Sequence, residues 1–303
     1  MSAPAEKLAV VGLGLLGGSV ALAARARGAA RQVVAWTRRA ESAREAIACG
    51  AVDDASVEPA ILEGSDLLVL ATPIDSMPAI LAQAAPYLAE GALVTDVGSV
   101  KGCLAETLPG LLPPSARYVG AHPMAGSHLR GLEHATSDLF AGAPCIVDAS
   151  AATDDVARVV AFWETLGARV LLRPASRHDE EVGWISHVPH AVAFAFARAL
   201  ERAPAEASEL RGPGFRDFTR IAQSDPELWA EILCANGKAL AAPLAAVGDR
   251  LRELARAVEQ GDTETTLRYL AAARDSLARL APAPDPGAET RRFIPERKSD
   301  EPK

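Results

Sequence analysis

Imidazole is the side chain that ordinarily titrates near neutral pH. The segment Gly120-Ala121-His122-Pro123-Met124-Ala125-Gly126-Ser127 sets one between small residues and a stiff proline. In that setting His122 could take or give a proton. Two more imidazoles stand in Ile185-Ser186-His187-Val188-Pro189-His190. They lie three apart and would share a helical face. A metal pair would need a third ligand, and none suggests itself, so no metal is expected and a structural or pocket-lining role reads better. The segment Gly214-Phe215-Arg216-Asp217-Phe218-Thr219-Arg220-Ile221-Ala222 places Arg216 and Arg220 four apart on one face. A guanidinium offers paired donors to a carboxylate. The plainer alternative is an ion pair with Asp217 or Glu227. Trp229 reads as core. The segment Asp96-Val97-Gly98-Ser99-Val100-Lys101 adds a hydroxyl and a cation directly after an apolar run.

A different chemistry is written at Val11-Gly12-Leu13-Gly14-Leu15-Leu16-Gly17-Gly18-Ser19, which carries G-x-G-x-x-G between a strand-like run and a helical one. Gly12 suits a tight turn, Gly14 lets a pyrophosphate approach, and Gly17 lets helix and strand pack closely. The helix N-terminus then offers free N–H groups and a positive dipole to phosphate. A glycine turn with no ligand is the bland alternative. Leu13, Leu15 and Leu16 belong to the same loop, and Ala71-Thr72-Pro73, after the third strand, is counted with it as cofactor-binding. Twenty residues past Gly17 comes Thr37, followed by Arg38 and Arg39. An NAD site usually places Asp or Glu there for the ribose 2′-OH. A hydroxyl and two arginines lean to the 2′-phosphate of NADP, with NAD the alternative and solvated loop charges the bland reading.

These residues need a frame. Apolar runs at 8–12, 32–36, 66–71, 92–96, 117–120, 143–147 and 168–172 alternate with helical stretches such as Leu15–Arg27 and 41–49. Continuous apolar strands between helices imply a parallel sheet covered on both faces. Strand C-termini in such a sheet point at the ligand crevice, which would put Ser99 and His122 on one rim. From 176 onward no strand-like run remains, and helices are expected at 179–202, 227–242, 243–259 and Thr263–Leu280. The division predicted is a dinucleotide domain over 1–173, a helical domain over 174–281 and a Pro-rich, charged, disordered tail over 282–303.

The chain's 303 residues suit about two domains. It is 49% hydrophobic and 23% charged, which rules out wholesale disorder. A net charge of −8 argues against a nucleic-acid partner. Cys49, Cys103, Cys145 and Cys234 lie far apart without a CxxC pair, so reduced thiols are expected. The longest uncharged run, 8–24, is glycine-rich and shorter than the roughly 20 residues a spanning helix needs. No membrane partner and a cytoplasmic location are the resulting expectations.

Taken together, DVGSVK, GAHPMAGS, SHVPH and GFRDFTRIAQSDP, with GLGLLGGS ahead of them, resemble the prephenate/arogenate dehydrogenase family of tyrosine biosynthesis. The likeness runs in family order from about residue 8 to about residue 280. It implies an α/β fold: an N-terminal doubly wound Rossmann-type parallel sheet domain and a C-terminal all-helical dimerisation domain, assembled as a homodimer. It implies oxidative decarboxylation. Hydride leaves C4 of a cyclohexadienol for the nicotinamide, the ring loses CO2, and aromatisation makes the step irreversible. Prephenate would give 4-hydroxyphenylpyruvate, arogenate tyrosine. By resemblance His122 is the base for the C4 hydroxyl. Ser99 orients the hydroxyl, the imidazole or the nicotinamide. Arg220 binds the ring carboxylate, with Arg216 in support, and His187 and His190 line the pocket. Ser127 and His128 stand on the substrate side.

The two substrates differ where arogenate carries an ammonium in place of a keto oxygen. The family often has an acid just after the catalytic segment, and here that position is His128, beside Arg130. An imidazole gives an ammonium little welcome, so prephenate is the expected substrate and arogenate, or both, the alternative. A β-hydroxy-acid dehydrogenase would want a helical-domain lysine, and Lys238 is the sole lysine between Arg173 and Leu280. A non-catalytic nucleotide-binding module would be expected to lack His122 or Arg220, and both are present.

Overall fold

A computed structural model describes residues 3–126 and 129–280. The predicted tail, with Ser127 and His128, lies outside the described residues. β1 (Ala5–Val11) shows why the first half is layered. Successive side chains of a strand point to opposite faces. Leu8 and Val10 join one apolar cluster and Ala9 and Val11 the other, all at most 4% exposed. The first cluster takes up α1 (Leu15–Arg27) and the second receives α3 (Met77–Ala84). A strand buried on both faces reads as an unbroken apolar run, which is why this one was legible.

The remaining elements of the sheet are β2 (Ala30–Trp36), α2 (Ala40–Ala48), β3 (Asp54–Ser56), β4 (Ser65–Leu70), β5 (Leu88–Asp96), α4 (Gly102–Thr107) and β6 (Arg117–Tyr118). All six strands are parallel, in the order β3-β2-β1-β4-β5-β6. This is the doubly wound arrangement expected, with β3 added from a stretch that carries no apolar run. The later strands depart from a single sheet. β7 (Ala121–Pro123), β8 (Pro144–Asp148) and β9 (Arg169–Arg173) form a second sheet in which β7 and β8 run antiparallel. The run at 117–120 therefore holds only β6, and the chain enters the second sheet directly after it, at Ala121. α5 (Thr153–Thr165) joins β8 to β9 and sends Phe162 and Trp163, both fully buried, into the first cluster.

The helical half begins with α6 (Ala175–Val182), a π-turn at Gly183–His187 and α7 (Val188–Ala199). The single helix expected at 179–202 is thus interrupted at the π-turn. It continues with α8 (Pro213–Arg220), α9 (Pro226–Ala235), α10 (Gly237–Glu259) and α11 (Thr263–Leu280). The break expected before Pro243 falls instead at Asn236, and Pro243 sits inside α10. Asn236 caps the end of α9, and its side-chain amide meets the carbonyl of Asp179 and His187. The change from strands to helices falls after Arg173, whereas the described residues divide into two compact units between Pro243 and Leu244. Among the described residues no single helix is long and apolar enough to cross a membrane.

Candidate active site

The sheet register aligns Val11 with Trp36 and with Leu70, and Leu70 with Asp96. The loops after β1, β2, β4 and β5 therefore leave one edge side by side. They hold the glycine turn, Thr37-Arg38-Arg39, Ala71-Thr72-Pro73 and Ser99, respectively. Gly12 has φ +95°, and a Cβ there would stand 2.5 Å from the carbonyl oxygen of Ala71. A Cβ at Gly17 would stand 1.9 Å from the oxygen of Gly12. Gly14, by contrast, faces open space, and it caps α1 without any side-chain hydrogen bond. The first turn of α1 thus keeps its N-terminal dipole for a ligand. The Thr72 hydroxyl is buried without a hydrogen-bond partner, which is costly unless something binds there. This edge fits a dinucleotide: glycines where backbone must meet backbone or phosphate, and an orphaned donor beside them. Arg38 and Arg39 are exposed and have no ion-pair partner among the described residues.

His122 lies in β7 opposite Ile146 of β8, only 7% exposed. Asp148, at the end of β8, accepts a hydrogen bond from the amide of Ala175 at 3.1 Å and so fixes where α6 starts. One turn later His178 brings Nε2 to 2.8 Å from Nδ1 of His122. Nδ1 of His178 lies 2.8 Å from the carboxylate of Asp179. That carboxylate also accepts from the amides of Lys101, at 2.7 Å, and Gly102, at 2.8 Å. Burial alone would raise the Asp179 pKa; the bonds from His178 and the two amides outweigh it and hold the group below the usual carboxylate value. Burial above all pushes His122 well below the ordinary imidazole value. His122 is therefore neutral at physiological pH, the state a base requires.

Farther along, His187 at the end of the π-turn is held by Asn236, whose Nδ2 lies 2.9 Å from Nδ1. Burial takes its pKa down to about 4. His190 stacks on Trp229, ring centroids 3.6 Å apart, while its Nδ1 meets the carbonyl of Ser186 at 2.9 Å. The two histidines do not act as a pair: each takes its own partners. Trp229, read as core, is buried in the second cluster and also sits edge-on to His187. Burial first, then the charge of Arg220, lowers the His190 pKa, which places that guanidinium within electrostatic reach of the same row. Arg220 and Arg216 are exposed on α8, and neither pairs with Asp217 or Glu227 among the described residues.

Beneath the Ser99 loop lies a cluster whose segment the sequence marked but whose pairing it did not. Lys101, 1% exposed, points its ammonium at both oxygens of Asp96, which is 0% exposed. Tyr118 donates to Asp96 Oδ2 at 2.6 Å, and the amide of Gly98 to Oδ1 at 2.9 Å. Ser99 itself is half-buried on the loop between these residues. His178, Asp179, Asn236, Asp96 and Tyr118 were missed. The signal available for the first two was a His-Asp dipeptide at the start of the helix expected from 179, which says little without its partners.

A glycine turn at the carboxyl edge of a parallel sheet, tied through a loop to a buried imidazole, defines a nucleotide-dependent dehydrogenase. The sequence matches the family profile "prephenate dehydrogenase, nucleotide-binding domain" over 20–172 and "prephenate dehydrogenase, dimerization domain" over 174–272. It is 30% identical to the cyclohexadienyl dehydrogenase of Zymomonas mobilis, covering 87% of this chain and 92% of that one. It is 31% identical to the prephenate dehydrogenase of Bacillus subtilis, covering 89% and 75%. Among solved structures, prephenate dehydrogenase from Aquifex aeolicus, in complex with hydroxyphenyl propionate and NAD+, superposes with a TM-score of 0.83 at 30% identity, covering 91% and 98%. Arogenate dehydrogenase from Synechocystis gives 0.78 at 29%, covering 91% and 100%. The chain belongs to the prephenate dehydrogenase family.

Proposed function

We propose that this chain oxidatively decarboxylates prephenate to 4-hydroxyphenylpyruvate, with NADP as hydride acceptor. One observation carries the reading: His122 is buried, neutral and tied by hydrogen bonds through His178 and Asp179 to the loop that leaves the dinucleotide edge. The nicotinamide would supply the site that accepts hydride from C4. The glycine turn and Thr72 would hold the dinucleotide, and Ser99 would orient the reacting hydroxyl or its base. His122 takes the C4 hydroxyl proton. Arg220, with no competing carboxylate among the described residues, binds the ring carboxylate, with Arg216 in support, and His187 and His190 line the remainder of the pocket. The NADP assignment rests on Thr37, Arg38 and Arg39, where no carboxylate stands to repel a 2′-phosphate.

Initial rates with prephenate and arogenate, each with NAD and NADP, test both choices. Prephenate with NADP is expected to give the highest kcat/KM; a preference for arogenate or NAD overturns the corresponding half. Thr37→Asp should shift the kcat/KM ratio toward NAD by about tenfold or more, because a like charge then faces the 2′-phosphate.

A homodimer is part of the same reading. Leu251 and Val258 on α10 and Leu267, Leu270, Leu277 and Leu280 on α11 are all more than half exposed. Rows of apolar side chains at helical spacing are suited to burial against a second copy. The matched dimerization profile supports this. Leu267→Glu combined with Leu270→Glu is expected to halve the mass seen by light scattering, and an unchanged mass would refute that surface.

A further inference from the structure

The base assigned above does not act alone, and what stands behind it can be worked out from hydrogen-bond arithmetic. Asp179 receives two backbone amides and one imidazole on its two oxygens. An ionised carboxylate only accepts. So Nδ1 of His178 carries the proton in that bond. With the Nε2 of His178 as acceptor, Nδ1 of His122 donates to it across 2.8 Å. That leaves the lone pair of His122 on Nε2. The tautomer of the base is set by the acid two links away.

We propose that His178 and Asp179 are positioning residues of the oxidation: they hold His122 in the tautomer with Nε2 free and take over the positive charge formed when His122 accepts a proton. This rests on the assignment of His122 as the base. The step balances. The substrate O–H bond breaks and its proton goes to Nε2 of His122. The proton on Nδ1 of His122 passes to Nε2 of His178. The electron pair of the O–H bond becomes the C=O bond as hydride leaves C4 for the dinucleotide already required. Asp179 stays ionised throughout and faces the new imidazolium of His178. The arrangement answers a physical difficulty: His122 sits where a lasting positive charge is penalised by burial. Moving the charge one ring along brings it against a carboxylate. Among the described residues the other titratable groups facing this chain include Lys101, His187, Cys103 and Cys145. The Lys101 ammonium is matched by Asp96, so it leaves Asp179 free to serve His178.

The test uses the full chain with prephenate and compares His178→Gln and Asp179→Asn with the parent and with His122→Asn. In His178→Gln, kcat is expected to fall by about 10²-fold while KM and the cofactor Kd stay within about threefold. In Asp179→Asn the acid limb of the kcat profile is expected to move to lower pH, because the charge that stabilises the imidazolium is gone. A purely structural role would leave that limb in place. The proposal is overturned if both variants keep kcat within about threefold with an unmoved acid limb. It is equally overturned if kcat falls only in step with lost cofactor affinity and a lowered Tm. If His122→Asn is itself as active as the parent, the base is misassigned and both readings fall together. If His122→Asn is inactive and His178→Gln is not, only the relay falls.

Discussion

Replacing His122 by Asn is expected to lower kcat by about 10³-fold and to leave the cofactor Kd within about threefold. Asn can still hydrogen-bond to His178 but cannot accept the hydroxyl proton. The loss should therefore appear in kcat and not in binding. The pH profile carries an independent signature. A base works unprotonated, so activity is lost as pH falls through its folded pKa. Burial sets that pKa for His122 well below the usual 6.5. Burial of His122 draws the acid limb of kcat/KM down and the Asp179 carboxylate facing His178 draws it up, so the limb belongs to the pair; a parent-like limb that persists in His122→Asn would mean that another group is the base. Stopped-flow or steady-state turnover with prephenate, together with cofactor titration by fluorescence, measures both halves.

How much of this site was legible follows from where its signals lie. Gly12, Gly14, Gly17 and Ser99 each stand at or past the end of an apolar run, and a parallel sheet gathers such positions on one edge without any knowledge of side chains; the same logic put His122 on that rim, whereas it lies within β7 of the second sheet. The relay is invisible to that logic. His122 and His178 are 56 positions apart, and Lys101 and Asp179 are 78. The bond that Asp148 accepts at the start of α6 helps to bring those pairs together, and no sequence pattern announces it. The sheet was misread at one point for a related reason. The run 117–120 reads as one strand, yet the chain leaves the first sheet after Tyr118 and pairs in the second from Ala121. A Cβ at Gly120 would lie 3.0 Å from the Tyr118 hydroxyl and 3.2 Å from Lys101 Cδ, so the backbone turns hard against the buried ion pair. Periodicity also could not show the π-turn at Gly183–His187, which has the composition of a helix and differs only in winding. Such turns are frequent at functional sites, and this one ends on His187.

That ion pair supports the second large expectation. Lys101→Met is expected to destabilise the fold by about 3–5 kcal/mol, because it strands the Asp96 carboxylate in the interior. Asp96 would keep only the Tyr118 hydroxyl and the Gly98 amide. Two hydrogen bonds are a poor substitute for a counter-ion where no water reaches. Tm should fall by on the order of 10 °C at this chain length. Asp96→Asn alone should also be costly, since it leaves a buried ammonium unmatched. The double variant should recover a large part of either loss, because removing both charges removes the desolvation penalty together with the attraction. Thermal unfolding of the four proteins measures the coupling; strictly additive losses would show that the pair contributes nothing as a pair. Function should track the same cycle. The amides of Lys101 and Gly102 hold Asp179, so an ammonium withdrawn from Asp96 loosens the loop that aims His178 at His122. Turnover at a temperature where Lys101→Met is still folded should therefore drop while cofactor affinity, set by the glycine turn after β1, two strands away in the sheet, changes little.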